Sequence, residues 1–145
     1  MSYTTWHNYG FGICVDDVDT QDVARLEGML KHAPDLEQEI HNWLKESSIS
    51  EPTWADYMEF DQDFRLGLAT ILQYVIKEAE GICLTACDNF DGNAYLLYQP
   101  DYPWNMSEKE RNLTEQDIAS LFQHYVGMLT DKPVDVDYQE VENGG

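Results

Sequence analysis

Hydrophobic and polar positions alternate most regularly between Gly81 and Pro100. There Ile82, Leu84 and Ala86 interleave with Cys83, Thr85 and Cys87, and Ala94, Leu96 and Tyr98 with Tyr95 and Leu97. A period of two sends each set to its own side of a pleated strand. The connecting residues, Asp88-Asn89-Phe90-Asp91-Gly92-Asn93, are rich in types that tolerate left-handed backbone angles, and Asp-Gly is a strong hairpin signal. Both faces are mostly apolar, which predicts a central hairpin over 82–99 covered by helices.

The rest of the chain divides between the same two periods. Tyr9, Phe11, Ile13 and Val15 alternate with Gly10, Gly12 and Cys14, a strand whose glycine side lies close to a neighbour. An acidic turn, Asp16 to Asp19, follows. Thr20 reads as the N-cap of a helix reaching about His32, with Val23, Leu26 and Leu30 as its apolar stripe. Pro34 suits the first position of a second helix that buries Leu36, Ile40, Trp43 and Leu44. The stretch from Thr53 to Phe64 reads as a short helix or an irregular crossing. Phe64, Leu68, Ile71, Leu72, Val75 and Ile76 make the most apolar helix, which Gly81 ends.

Thr114-Glu-Gln-Asp is a helix start, and Ile118, Leu121, Phe122, Tyr125, Val126 and Leu129 give the buried face behind it. Val134, Val136 and Tyr138 alternate with Asp135 and Asp137 in a last strand with one wet face, and residues 139–145 are expected to fray. The sum is a single acidic domain over 1–145 of the α+β class. It has a small, mostly antiparallel sheet of about four strands packed with four to five helices.

Composition changes this picture in one respect, charge. The chain of 145 residues carries 28 acids against 8 bases, a formal net charge of -20. The excess is spread along the whole sequence rather than gathered in a tail, so a negative field is expected to wrap the folded surface. Such a field disfavours direct contact with nucleic acid or an anionic membrane and favours basic protein surfaces. It also costs stability by self-repulsion. Hydrophobic residues at 43% and aromatics at 12% argue against global disorder. No run approaches the roughly 18 apolar residues of a membrane-spanning helix. The start MSYTTWHNYG has neither the basic end nor the apolar core of a signal peptide, and Cys14, Cys83 and Cys87 read as reduced thiols, so a cytoplasmic location is expected.

Candidate chemistry is sparse. On one strand Cys83 and Cys87 would lie roughly 13 Å apart, too far for one zinc ion. Asp88, Asp91 and Asn93 lack the distal glutamate of a helix-loop-helix calcium site and are accounted for by the turn. No serine-nucleophile elbow, phosphate-cradling glycine loop or zinc-protease motif is present, and His7, His32, His41 and His124 have no sequence-local activating partner. Neither a cofactor nor a metal is expected. Two acidic groupings remain as binding candidates. The first sets Asp56, Glu59, Asp61 and Asp63 around Trp54 and Tyr57, an acidic rim on aromatic anchors. The second sets Asp135 and Asp137 about 7 Å apart on one strand face, near the phosphate spacing of a nucleic-acid strand.

The run from Cys83 to Trp104, with its Asp-Gly-Asn turn, its Tyr-Leu-Leu-Tyr strand and its Tyr102-Pro103-Trp104 loop, resembles small acidic proteins of bacterial phages and prophages. In class the chain is similar to phage-encoded anti-CRISPR and anti-restriction inhibitors that imitate DNA. That resemblance implies a non-enzymatic protein, in the cytoplasm of a bacterial host, that occupies the basic nucleic-acid-binding surface of a defence protein such as a CRISPR nuclease. The alternative is a small enzyme or ligand-binding module with a carboxylate-lined pocket.

Overall fold

Strand β1 (Thr5–Cys14) lies between β3 (Ala94–Tyr98) and β4 (Asp137–Gly144), with β2 (Thr85–Asp88) outside β3, in an antiparallel sheet. These assignments come from a computed structural model that describes residues 5–60, 66–89, 91–99 and 103–144. The sheet and its helices form the α+β fold that the periodicities predict. The register pairs Ile13 with Leu96 and Leu96 with Ala86, so these side chains share one face. Ile13 and Leu96 are fully buried there, against the helices.

Helix α4 (Leu68–Glu80) and helix α6 (Glu115–Leu129) pack on that face because each carries a continuous apolar stripe. Ile71, Leu72, Val75 and Ile76 of α4 are all buried, and burial of each such side chain contributes about 1.5–3 kcal/mol. Gly81 closes α4 at φ 72°, a left-handed angle that a β-carbon would strain. Helices α1 (Val23–Leu30) and α2 (Pro34–Glu46) complete the layer with Leu26, Met29, Leu30, Leu36, Ile40 and Leu44. Pro34 stands at the start of α2, as its fixed φ favours. Two short helices, α3 (Trp54–Met58) and α5 (Glu108–Arg111), and 3-10 turns at Val15–Asp17 and Pro103–Asn105 make the connections.

On the opposite face Leu97 and Val141 are buried outside the helical core, beside Gly10 and Gly12. The sheet curls enough to bring its two edge strands, β2 and β4, near each other. Gly12 is required by that crowding: a β-carbon there would sit 2.0 Å from the Leu96 carbonyl oxygen. Glycine spacing in β1 foretells this close approach.

The structure departs from the sequence expectations in four places. Asp22, not Thr20, caps α1, its carboxylate accepting from Arg25 N at 3.2 Å. The Thr20 hydroxyl instead donates to the Leu129 carbonyl at 2.8 Å, tying the α1 approach to the end of α6. The hairpin strand is shorter than expected, β2 starting at Thr85, although Ile82 and Leu84 are buried as the alternation requires. The last strand starts at Asp137 rather than Val134 and runs to Gly144, through the tail expected to fray. Its backbone pairs with β1 from Gly12↔Asp137 to Thr5↔Gly144, and Val141 is 1% exposed. Ladder hydrogen bonds and one buried valine hold a segment whose polar composition suggests none.

Candidate anionic binding surface

The basic side chains are the place to begin, because they decide which acids remain unneutralised. Arg25 donates from Nε to the Met128 carbonyl at 3.0 Å, and from Nη2 to the Gly127 carbonyl at 3.1 Å and to Asp131 Oδ1 at 3.0 Å. It therefore caps the negative end of the α6 dipole. Lys109 does the same for α4, its Nζ donating to the Glu80 carbonyl at 2.6 Å. Lys31 pairs with Glu37 at 2.8 Å, and Lys132 pairs with Asp19. Lys132 holds the Asp19 carboxyl below the usual carboxylate range, mainly through its hydrogen bond. These cations are engaged within the chain.

Many acids among the helices are equally engaged. Glu78 accepts from the backbone N–H groups of Asp35 at 3.0 Å and Leu36 at 2.9 Å, capping α2 from α4. Asp56 and Asp117 complete capping boxes with Thr53 and Thr114. Glu27 and Glu80 accept from the buried hydroxyls of Tyr57 at 2.9 Å and Tyr125 at 2.8 Å. Burial, then the hydrogen-bonded carboxylate, pushes both phenols well above their ordinary range.

One end of the sheet is different. Here β1 finishes, the turn Val15–Asp17 follows it, β2 ends, β3 begins and β4 begins. Cys14 faces Tyr95, which faces Cys87, while Asp88 faces Ala94 and Gly12 faces Asp137. The end of α6 and the start of α1 join them through Thr20 and Arg25. The result gathers Asp16, Asp17, Asp19, Asp22, Asp88, Asp91, Asp131, Asp135 and Asp137 at one pole, from three separated stretches of sequence. Asp17 leaves a trace on its neighbours: together with the larger effect of burial it raises the Cys14 thiol, and it adds slightly to the raised Tyr95 phenol. All of these acids are aspartates, and each lies in a turn, a cap, a strand end or a loop next to one, where a short carboxylate bonds local backbone readily. Local turn chemistry put them in the sequence, and strand pairing brought them together.

The sequence-predicted site residues fare unequally. Asp135 and Asp137 are exposed at this pole. Asp135 precedes the strand, so the two do not form the expected pair on one strand face, and Asp137 Oδ1 accepts from the Tyr138 N–H at 2.8 Å. In the first grouping two residues have structural roles, Asp56 and Tyr57. Tyr57 is 1% exposed and is a core residue, so it cannot anchor a partner. Asp56 is the cap of α3, Trp54 is half-buried against the core, and Glu59 is exposed. Asp61 and Asp63 lie outside the described residues. The large apolar side chains that do reach solvent among the described residues are Tyr9, Trp104 and Tyr138.

A carboxylate-lined pocket was the other expectation. A groove of about 580 Å³ between α1, α2 and the approach to α3 contains Glu27, Glu37, Lys31 and His41, but its carboxylates already serve Tyr57 and Lys31. A second, of about 480 Å³, opens at the pole between Asp16, Asp88 and the start of α4. No group of three or more His, Cys, Asp or Glu among the described residues is placed to hold a metal ion, and no helix among them is long and apolar enough to cross a membrane. Cys87 is pushed up to about 11 by burial and by Asp88, the opposite of an activated thiol. Comparison of the chain with family models, curated proteins and solved structures gives no match.

Proposed function

We propose that the protein is a non-enzymatic binding protein whose aspartate pole docks on a basic surface of another protein. The observation that carries this reading is the convergence of aspartates from residues 16–22, 88–91 and 131–137 on one end of the sheet, where the nearby cations Arg25 and Lys132 are already paired. Short side chains on strand ends and turns lose little rotamer freedom on binding, which favours them for a fixed charge array. The basic surface that such an array matches best is one that otherwise holds nucleic-acid phosphates. With the resemblance to phage inhibitors, that makes a host defence nuclease the partner class we favour. The face we favour is the pole, with Asp135 and Asp137, where Trp54 of α3 lines the groove beside Asp16 and Asp88.

The test is capture of partners from bacterial lysate at low and at moderate salt, with two variants of equal charge change. Asp17→Lys/Asp135→Lys/Asp137→Lys alters the pole, and Asp35→Lys/Glu39→Lys/Glu46→Lys alters α2. A nucleic-acid-binding protein retained by the wild type and the α2 variant, lost by the pole variant and weakened by salt, is the expected result. Equal loss in both variants would reduce the effect to net charge and sink the pole as a site.

A further inference from the structure

Beside the pole, on the sheet face opposite the one Asp137 shares with Gly12, β1 and β4 expose aromatic rings. Phe11 faces Tyr138 across the ladder and Tyr9 faces Glu140, which places these side chains on one face. Tyr9 is 61% exposed and Tyr138 49%, and their rings stack at 5.7 Å between centroids with an interplanar angle of 11°. Phe11 meets Tyr138 edge-on at 5.2 Å. Together with Tyr98, Leu113 and Glu115 they line a pocket of about 340 Å³, within the range that holds small ligands.

One carboxylate, Glu115, lines the pocket, and two more stand near its rings. Glu115, in the first turn of α6, accepts from the Tyr138 hydroxyl. A carboxylate has further acceptor positions, so that bond leaves Glu115 able to take more donors. Glu140 lies on the same sheet face, and Glu110 adds to the burial that raises the Tyr98 phenol. Aromatic faces with a carboxylate beside them suit a cation, and a planar guanidinium stacks on a ring while its N–H groups reach an oxygen. An anion is disfavoured although α6 begins here, because Thr114 and Asp117 already cap that helix and Glu115 repels a negative ligand.

We infer that the pocket formed by Tyr9, Phe11, Tyr98, Tyr138 and Glu115 receives an arginine side chain presented by a basic protein partner. The inference rests on the reading of a basic partner and adds to it a second point of contact: the pole supplies charge, and the pocket reads one residue. Its position on exposed strand residues explains why Tyr9 and Tyr138 stay in water without destabilising the core.

The experiment is a titration of isotope-labelled protein with an acetylated, amidated Gly-Arg-Gly peptide, followed in the aromatic and amide spectra. The control peptide carries citrulline, which keeps the shape and removes the charge. Saturable shifts at Tyr9, Phe11, Tyr138 and the start of α6, with binding about tenfold weaker for citrulline, are expected. Glu115→Gln and Tyr138→Ala each weaken arginine binding by several-fold, while Tyr138→Phe, which keeps the ring, retains most of it; both sites are exposed, and circular dichroism should show all three variants folded. Equal shifts with citrulline, shifts confined to the aspartate pole, or concentration-dependent shifts of Tyr9 and Tyr138 without peptide, meaning a second copy fills the pocket, would each overturn the inference. The two readings also part here. Peptide binding without any captured partner sinks the functional reading alone, and partner capture unaffected by Tyr138→Ala sinks the pocket alone.

Discussion

The helical layer and the strand-end pole are both acidic, yet their carboxylates have opposite occupations. Among the helices Glu78 caps α2, Asp117 caps α6, and Glu27 and Glu80 hold the hydroxyls of Tyr57 and Tyr125. At the pole, Asp131 and Asp19 account for the Arg25 and Lys132 side chains, and further aspartates add charge beyond those pairs. Similar composition therefore serves stability in one region and leaves an outward field in the other. What separates them is reach: the helical glutamates bond buried phenols and a neighbouring helix end across the core, whereas Asp22 and Asp137 at the pole bond only local backbone.

The largest test of this contrast removes the crossing that assembles the pole. Gly12→Ala puts a β-carbon 2.0 Å from the Leu96 oxygen and 2.9 Å from the Leu97 α-carbon, so β1 and β3 must part. A loss of about 3 kcal/mol or more in urea unfolding is expected. A variant that folds with unchanged stability would mean that the sheet is less tightly crossed.

Next is Glu80→Ala, which strips the buried Tyr125 hydroxyl and Lys109 of an acceptor and should cost about 2 kcal/mol in the same measurement. Glu78→Ala, which uncaps α2, should cost about 1 kcal/mol.

The phenols give a pH signature. Tyr57 and Tyr125 have folded pKa values raised above the unfolded value of about 10, so their contribution is complete below about pH 10 and is lost as the pH climbs through the folded values. The urea midpoint should therefore fall above about pH 10, and less steeply in Tyr57→Phe.

The smallest effect belongs to the pole. Asp135→Asn or Asp16→Asn should leave stability within about 0.5 kcal/mol of wild type or raise it slightly, and added salt should raise it as well. A pole substitution that costs as much as Glu80→Ala would erase the distinction between the two regions.

Much of the architecture was legible in the sequence because it depends on local periodicity. The stripes of α2, α4 and α6, the Pro34 start, the Thr114 capping box, the Gly81 stop and the hairpin over its Asp-Gly turn each depend on residues within a few positions of one another. So did the glycine side of β1. The acidic, aromatic segment at Trp54–Phe60 shows the limit of composition. It reads as an interface, but its aspartate is a cap and its tyrosine is core, since exposure depends on what packs above.

What only the tertiary structure decided is where distant residues meet. The sequence determined a net charge of -20 and the aspartates in its turns and strand ends, through composition and local backbone preference. It could not place residues 16–22 beside 88–91 and 131–137, because the order β2-β3-β1-β4 depends on pairings as distant as Cys14 with Tyr95 and Gly12 with Asp137. Nor could it show that Gly144 reaches back to Thr5, or that Tyr9 and Tyr138 stack. Periodicity assigns each residue a face; only strand pairing and helix packing decide what that face meets.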